Sequence, residues 1–141
     1  MSMNLLAVHD QITAKLKELP QEVYETAPPE DKRLLFDSSG MLMPYMVVQH
    51  SDMYPLGSGG GITGAKYDVA QGYCLVICVG PTERSVRQVA DLVRDKLTGF
   101  SPSDAGELRF AGGSTEYATP ESKQNRYTTE LGFIFPVNTS W

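Results

Sequence analysis

Residues 4–19 place Leu5, Val8, Ile12, Leu16 and Leu19 at spacings of three and four, with Asp10, Lys15, Lys17 and Glu18 left between them. That spacing gathers the apolar side chains on one stripe and predicts an amphipathic helix. Pro20 stops it, because proline has no amide hydrogen to continue the ladder. Val23 and Tyr24 start a short strand before the breaker cluster Ala27-Pro28-Pro29-Glu30-Asp31. Residues 33–36 form too short a run to assign. After a Ser38-Ser39-Gly40 turn, PYMVVQH (residues 44–50) reads as a strand, with Pro44 tolerable only near its beginning. Residues 51–66, SDMYPLGSGGGITGAK, lack periodicity and are rich in glycine. Loops of that length are uncommon inside compact domains, and those that occur are usually functional or disordered. Residues 67–79 then give one long strand, or two joined at Gln71-Gly72.

The stretch CVGPTERSVRQVADLVRDKLTGFSP (residues 78–102) begins as a strand, turns at Gly80-Pro81 and continues as a second helix. Pro81 presets the turn, Thr82 caps the helix and Glu83 complements its positive end. Val86, Val89, Ala90, Val93 and Leu97 form the buried stripe, and Gly99 supplies a left-handed stop. Opposite them stand Arg84, Arg87, Asp91, Arg94 and Asp95, a mixed-charge face that is either solvated or an interface. Residues 106–110 read as a strand around Leu108 and Phe110, and residues 111–126 as a polar loop. Residues 127–137, YTTELGFIFPV, alternate Tyr127, Thr129, Leu131, Phe133 and Phe135 against smaller or more polar neighbours, the pattern of a half-buried strand. Helix, strands, helix, strands is the order of an α+β fold. The expectation is one domain over residues 1–141, with a mostly antiparallel mixed sheet flanked by two amphipathic helices.

Composition narrows the function. With 141 residues, 41% hydrophobic and 21% charged, the chain has ordinary globular usage and enough length for one good core. A net charge of −5 argues against a dedicated nucleic-acid binder, which carries a basic face, yet suits a wall that DNA merely passes. No apolar run approaches the roughly 20 residues that span a bilayer. The N-terminus lacks the pattern of a secretory signal, so a cytoplasmic start is expected. Cys74 and Cys78 fall on one face of a strand, roughly 13 Å apart. A disulfide needs less than about 7 Å, so buried apolar thiols are expected in preference to a bridge or a metal site.

The remaining motifs point away from chemistry. The run Gly57-Ser58-Gly59-Gly60-Gly61 leads to a strand, not to the Gly-Lys-Ser/Thr and helix N-terminus that a phosphate loop requires. The Gly80 turn lacks the spaced glycines of a dinucleotide site. His9 and His50 are far apart in sequence, with no nucleophile assignable to either, and no pair of carboxylates stands out for acid–base work. Met41, Met43 and Met46 suit core filling better than an interface. No catalytic, cofactor or metal residues are expected.

In organisation the chain resembles the tail terminator proteins of long-tailed bacteriophages, the small minor tail proteins that cap the phage lambda tail and its relatives. The resemblance is carried by the opening helix LLAVHDQITAKLKEL, the strand PYMVVQH, the glycine-rich loop before YDVAQGYCLVICVG, and the block CVGPTERSVRQVADLVRDKLTGFSP. It spans most of residues 4–102; the methionine-rich strand and residues 138–141 do not map onto it. It implies a structural protein, not an enzyme, that forms a homo-oligomeric ring, typically a hexamer. The ring sits on the last tail-tube ring, ends tube polymerisation and presents a surface to a head-completion or connector protein. DNA only passes through the lumen, and no membrane or cofactor is involved. The implied location is the head-proximal end of the virion tail, after assembly in the host cytoplasm. On this reading Arg84, Arg87, Asp91 and Arg94 contribute to the subunit interface. Met53, Tyr54, Leu56, Gly59 and Ile62 belong to a loop that orders on the tail tube. The alternatives are a head-closure or neck protein, which shares the ring logic, and a small nucleotide-binding domain or enzyme built on the Gly80 turn.

Overall fold

Helix α1 spans Leu5–Leu16 and buries Val8, Ile12 and Leu16 completely, as its stripe requires. The computed structural model describes residues 5–25, 35–51, 54–55, 67–102, 105–113, 117–118 and 127–140. The helix ends before residue 19. The Glu18 and Leu19 amides bond back only three residues, to Lys15 O at 3.2 Å and Leu16 O at 3.0 Å. The turn tightens there because Pro20 disfavours helical geometry in the residue before it.

The strands are β1 (Glu22–Glu25), β2 (Tyr45–His50), β3 (Tyr54–Pro55), β4 (Tyr67–Gly80), β5 (Arg109–Gly113), β6 (Tyr117–Ala118) and β7 (Tyr127–Ser140). They form one sheet in the order β1-β2-β4-β7-β5, with β3 beside β4 and β6 beside β7. Only β1 and β2 run parallel; every other pairing is antiparallel. The fold is α+β, as expected.

β4 is a single uninterrupted strand. It pairs with β7 along its whole length, from Tyr67 opposite Ser140 to Gly80 opposite Tyr127, with Gly72 opposite Phe135. Pro136 is tolerated near the middle of this ribbon for a simple reason. Its carbonyl accepts from the Gly106 amide at 2.8 Å, on the side away from β4, so its missing amide hydrogen leaves no gap in the β4 ladder.

Helix α2 (Glu83–Leu97) follows the sequence closely. The Ser85 amide donates to Thr82 Oγ1 at 3.1 Å and the Thr82 amide to Ser85 Oγ at 3.2 Å, a reciprocal cap. Val86, Val89, Ala90, Val93 and Leu97 are buried, and Gly99 leaves the helix at φ 87°. Leu108 then clasps that exit: it accepts from the Gly99 amide and donates to Phe100 O, both at 2.9 Å.

The fifth strand departs from expectation. It begins at Arg109, not at residue 106, and runs on to Gly113 through residues whose polarity suggests a loop. Gly112, at φ 116°, permits a bulge after Phe110, so the strand keeps its pairing with β7 despite its composition. The Tyr117–Ala118 pairing likewise falls within the stretch expected to be a loop.

Both helices lie on one face of the sheet. There Met46, Val48, Cys74, Val76, Cys78, Leu131, Phe133 and Phe135 meet the helical stripes in the main core. On the opposite face a smaller cluster of Leu42, Tyr45, Val47 and Val79 draws in Tyr24 and Ile77. This second, open face carries no helix among the described residues.

Candidate interaction surfaces

The groups most capable of chemistry are packed away from it. Cys74 and Cys78 are fully buried free thiols whose pKa is pushed up to about 12 by burial. They therefore stay protonated and inert at neutral pH. The Gly80 turn is a joint: the Ser85 amide, which a bound anion would need, already serves Thr82, and a Cβ on Gly80 would meet Ser85 Oγ at 2.6 Å. Among the described residues no group of three or more His, Cys, Asp or Glu is placed to hold a metal ion, and no helix is long and apolar enough to cross a membrane.

The two histidines, separated by 41 positions in sequence, are brought together where α1 crosses β2. Their rings stack with centroids 4.3 Å apart, and His50 Nε2 lies 3.0 Å from Thr13 Oγ1. Burial chiefly, and then His9, lowers the His50 pKa from 6.5 to about 4, against an opposing pull from Asp10. Because the folded-state value lies below the unfolded one, the neutral ring contributes stability in full above pH 6.5. That contribution is lost as pH falls toward 4. The full shift corresponds to about 3 kcal/mol, and solvent screening of this half-buried ring reduces it to roughly 1–2 kcal/mol. Unfolding free energies from urea denaturation should fall by that amount between pH 7 and pH 4, and the His50→Gln variant should show a flatter profile over the same window.

The charged face of α2 is where the sequence placed it, with Arg84, Arg87 and Asp91 exposed and Arg94 half-buried. Its charges are largely paired along the helix: Arg87 with Glu83, and Arg94 with Asp91. Arg94 also lies over the Phe110 ring, 5.8 Å from its centroid, which joins this face to the β5 edge. On the other flank Lys96 reaches Glu18 of α1 at 3.0 Å, and this contact, more than any other, holds the Glu18 carboxyl below its usual range. Of the expected docking residues, Tyr54 has its backbone in β3, paired with Gln71. Met53, Leu56, Gly59 and Ile62 lie outside the described residues.

Sequence reasoning missed the surface formed by residues 35–45. Phe36 and Leu42 bridge, and the chain between them reverses at Gly40, φ 83°. The Asp37 carboxylate staples the turn by accepting from the Ser39 and Met41 amides at 2.9 Å and the Ser39 hydroxyl at 2.6 Å. Those donors favour its ionised form and lower its pKa. Leu42 plugs the open-face cluster, but Leu35, Phe36, Met41 and Met43 remain 44–49% exposed. Core filling is therefore the role of Met46 alone among the three methionines expected to serve it; Met41 and Met43 face outward. Four large apolar side chains on one short hairpin suggest a contact surface. The hairpin and the entries to β1 and β2 enclose a groove of about 230 Å³, lined by Pro20, Gln21, Glu22, Tyr24, Leu35, Met43, Pro44 and Tyr45. That is smaller than the ~300–1,000 Å³ of typical small-molecule sites and better matched to one inserted side chain.

No protein-family model matches the sequence, and no curated protein matches it. The fold is similar to that of a chain in the solved structure "Virion of native gene transfer agent (GTA) particle". The TM-score is 0.51 at 16% identity, and the match covers 94% of this chain and 92% of that one. At such low identity the likeness concerns the fold, and it extends over nearly the whole of both chains.

Proposed function

We propose that this chain is a structural component of a phage-type virion and, within it, a tail terminator. It forms a ring that caps the tail tube, ends tube polymerisation and offers a surface for joining the head. The observation that carries this reading is the near full-length likeness to a virion chain. The resemblance of residues 4–102 to tail terminator proteins supports assigning it to the tail end. Surface chemistry is in keeping with assembly: outward apolar side chains on a stapled hairpin, and a charged helix face continuous with a sheet edge. The mechanism is geometric. One face of the ring complements the tube end, while the other cannot accept a further tube subunit. Subunits around a closed ring meet head to tail through two different surfaces, and the α2 face belongs to one of them. The net charge of −5 suits a lumen through which DNA slides without adhering.

Electron microscopy of the purified protein mixed with tail tubes tests the reading. Ring-shaped density on one tube end and arrested elongation are expected. Tubes that elongate unchecked would overturn it, and attachment to head connectors but not to tubes would identify a neck protein. Deleting residues 57–61 should leave the unfolding free energy within about 1 kcal/mol of the parent, since chain length between elements enters stability only weakly. The same deletion should weaken tube capping. Undiminished capping would remove the glycine run from the docking surface.

A further inference from the structure

We infer that neighbouring copies in the ring join edge to edge, with β1 of one copy laid antiparallel against β5 of the next. The inference rests on the ring reading and names the surfaces that close it. Among the described residues β1 pairs only with β2 and β5 only with β7, so the sheet ends in two unpaired ladders on opposite sides of the subunit. Exposed edges of this kind are templates for pairing with another chain.

Strand direction makes the two edges compatible. From β1 the order runs parallel to β2, then reverses at β4, at β7 and again at β5, so β1 and β5 point in opposite directions. A rotation axis running along the strands preserves direction from copy to copy. β1 then meets its neighbour's β5 antiparallel, the more stable ladder, with the helices on the same side in every copy.

Side chains agree on both faces. Val23 packs into the helix-side core and Tyr24 into the open-face cluster, so alternation puts Glu25 on the helix side and Glu22 on the open face. On β5, Phe110 pairs with Phe133, their rings 5.7 Å apart on the helix side, which leaves Arg109, opposite Ile134, on the open face. Joining the edges therefore brings Arg109 to Glu22 on one face, and Phe110 with its overlying Arg94 to Val23 and Glu25 on the other. All of Glu22, Glu25, Arg109 and Phe110 are exposed in the single chain. Glu22 also rims the groove beside the hairpin, which has room for the aliphatic stem of an incoming arginine.

The experiment uses the full chain, with size read by light scattering and native mass spectrometry. The parent should form a closed oligomer. Arg109→Glu, and separately Glu22→Arg with Glu25→Arg, should weaken association on the order of a hundredfold while circular dichroism and melting stay unchanged. Combining Arg109→Glu with Glu22→Arg alone, which leaves Glu25 facing Arg94, should restore the oligomer. A chain carrying Glu22→Cys and Arg109→Cys, treated with a short bismaleimide, should give a ladder beyond dimers, whereas either single variant stops at dimers. Rings that persist in Arg109→Glu and give no ladder would overturn the edge contact and leave the ring reading standing. A parent that stays monomeric at all concentrations and on tail tubes would overturn both.

Discussion

Replacing Phe133 with alanine is expected to destabilise the fold by about 3–5 kcal/mol. Phe133 is fully buried, opposite Cys74 on the neighbouring strand, in the layer where sheet residues meet both helical stripes. Removing the ring forfeits its transfer free energy and leaves a cavity that two helices anchored elsewhere cannot readily fill. A domain of this size has only about 5–15 kcal/mol in total, so the urea midpoint should drop by roughly a fifth or more. The melting temperature should fall by roughly 10 °C. Phe110, its ring partner on the edge strand, is 40% exposed, and Phe110→Ala should cost the single chain far less, about 1 kcal/mol. Equal losses in the two variants would contradict a core centred on β7. The contrast also separates roles: Phe133 holds the subunit together, whereas Phe110, on the proposed contact edge, should affect association more than folding.

The parts of this fold legible in the sequence are those whose signals are local. Helix α2 states its own beginning in Pro81, Thr82 and Glu83, its buried stripe in five apolar positions and its end in Gly99, and each is realised. β7 shows the alternation of a strand covered on one face. β5 does not, because Ala111, Gly112 and Gly113 carry no strand signal; an edge of β7 and one glycine with positive φ recruit them. The hairpin at residues 35–45 was equally opaque. Its fold depends on Asp37 capturing three nearby donors and on Leu42 finding a cavity in a sheet face assembled from distant strands.

The same division applies to the surfaces. The α2 charges were readable as a face, since helical spacing alone fixes which residues share it. Their pairing with Glu83 and Asp91 follows from spacings of four and three, and the sequence contained that information. What spacing could not reveal is that β1 and β5, 87 positions apart at their first residues, end the sheet on opposite sides with opposite charge. That depends on strand order. The stacked histidines have the same origin, since only the packing of α1 against the sheet brings residue 9 over residue 50.

Strand order also fixes the second large effect, at Gly72. This residue lies opposite Phe135 in the long ribbon, and a Cβ added to it would sit 2.2 Å from the Phe135 ring atoms Cε2 and Cζ. No side chain of any size fits unless the ring moves, yet Phe135 is 1% exposed and held in the core. Gly72→Ala should therefore destabilise by about 1–3 kcal/mol through overpacking. Phe135→Ala should cost about 3–5 kcal/mol through the cavity it leaves. In the double variant the new methyl group occupies part of the space the ring vacates. The combined loss should fall short of the sum by roughly 1–2 kcal/mol in a double-mutant cycle read by urea denaturation. Simple additivity would mean that the ring does not lie over the glycine. The consequence reaches β3, because Gly72 adjoins Gln71, the residue on which Tyr54 pairs. A Phe135 ring displaced here disturbs the stretch of β4 on which β3 pairs. On the proposed tail-terminator reading, Gly72→Ala should consequently impair tube capping at temperatures where the subunit itself remains folded.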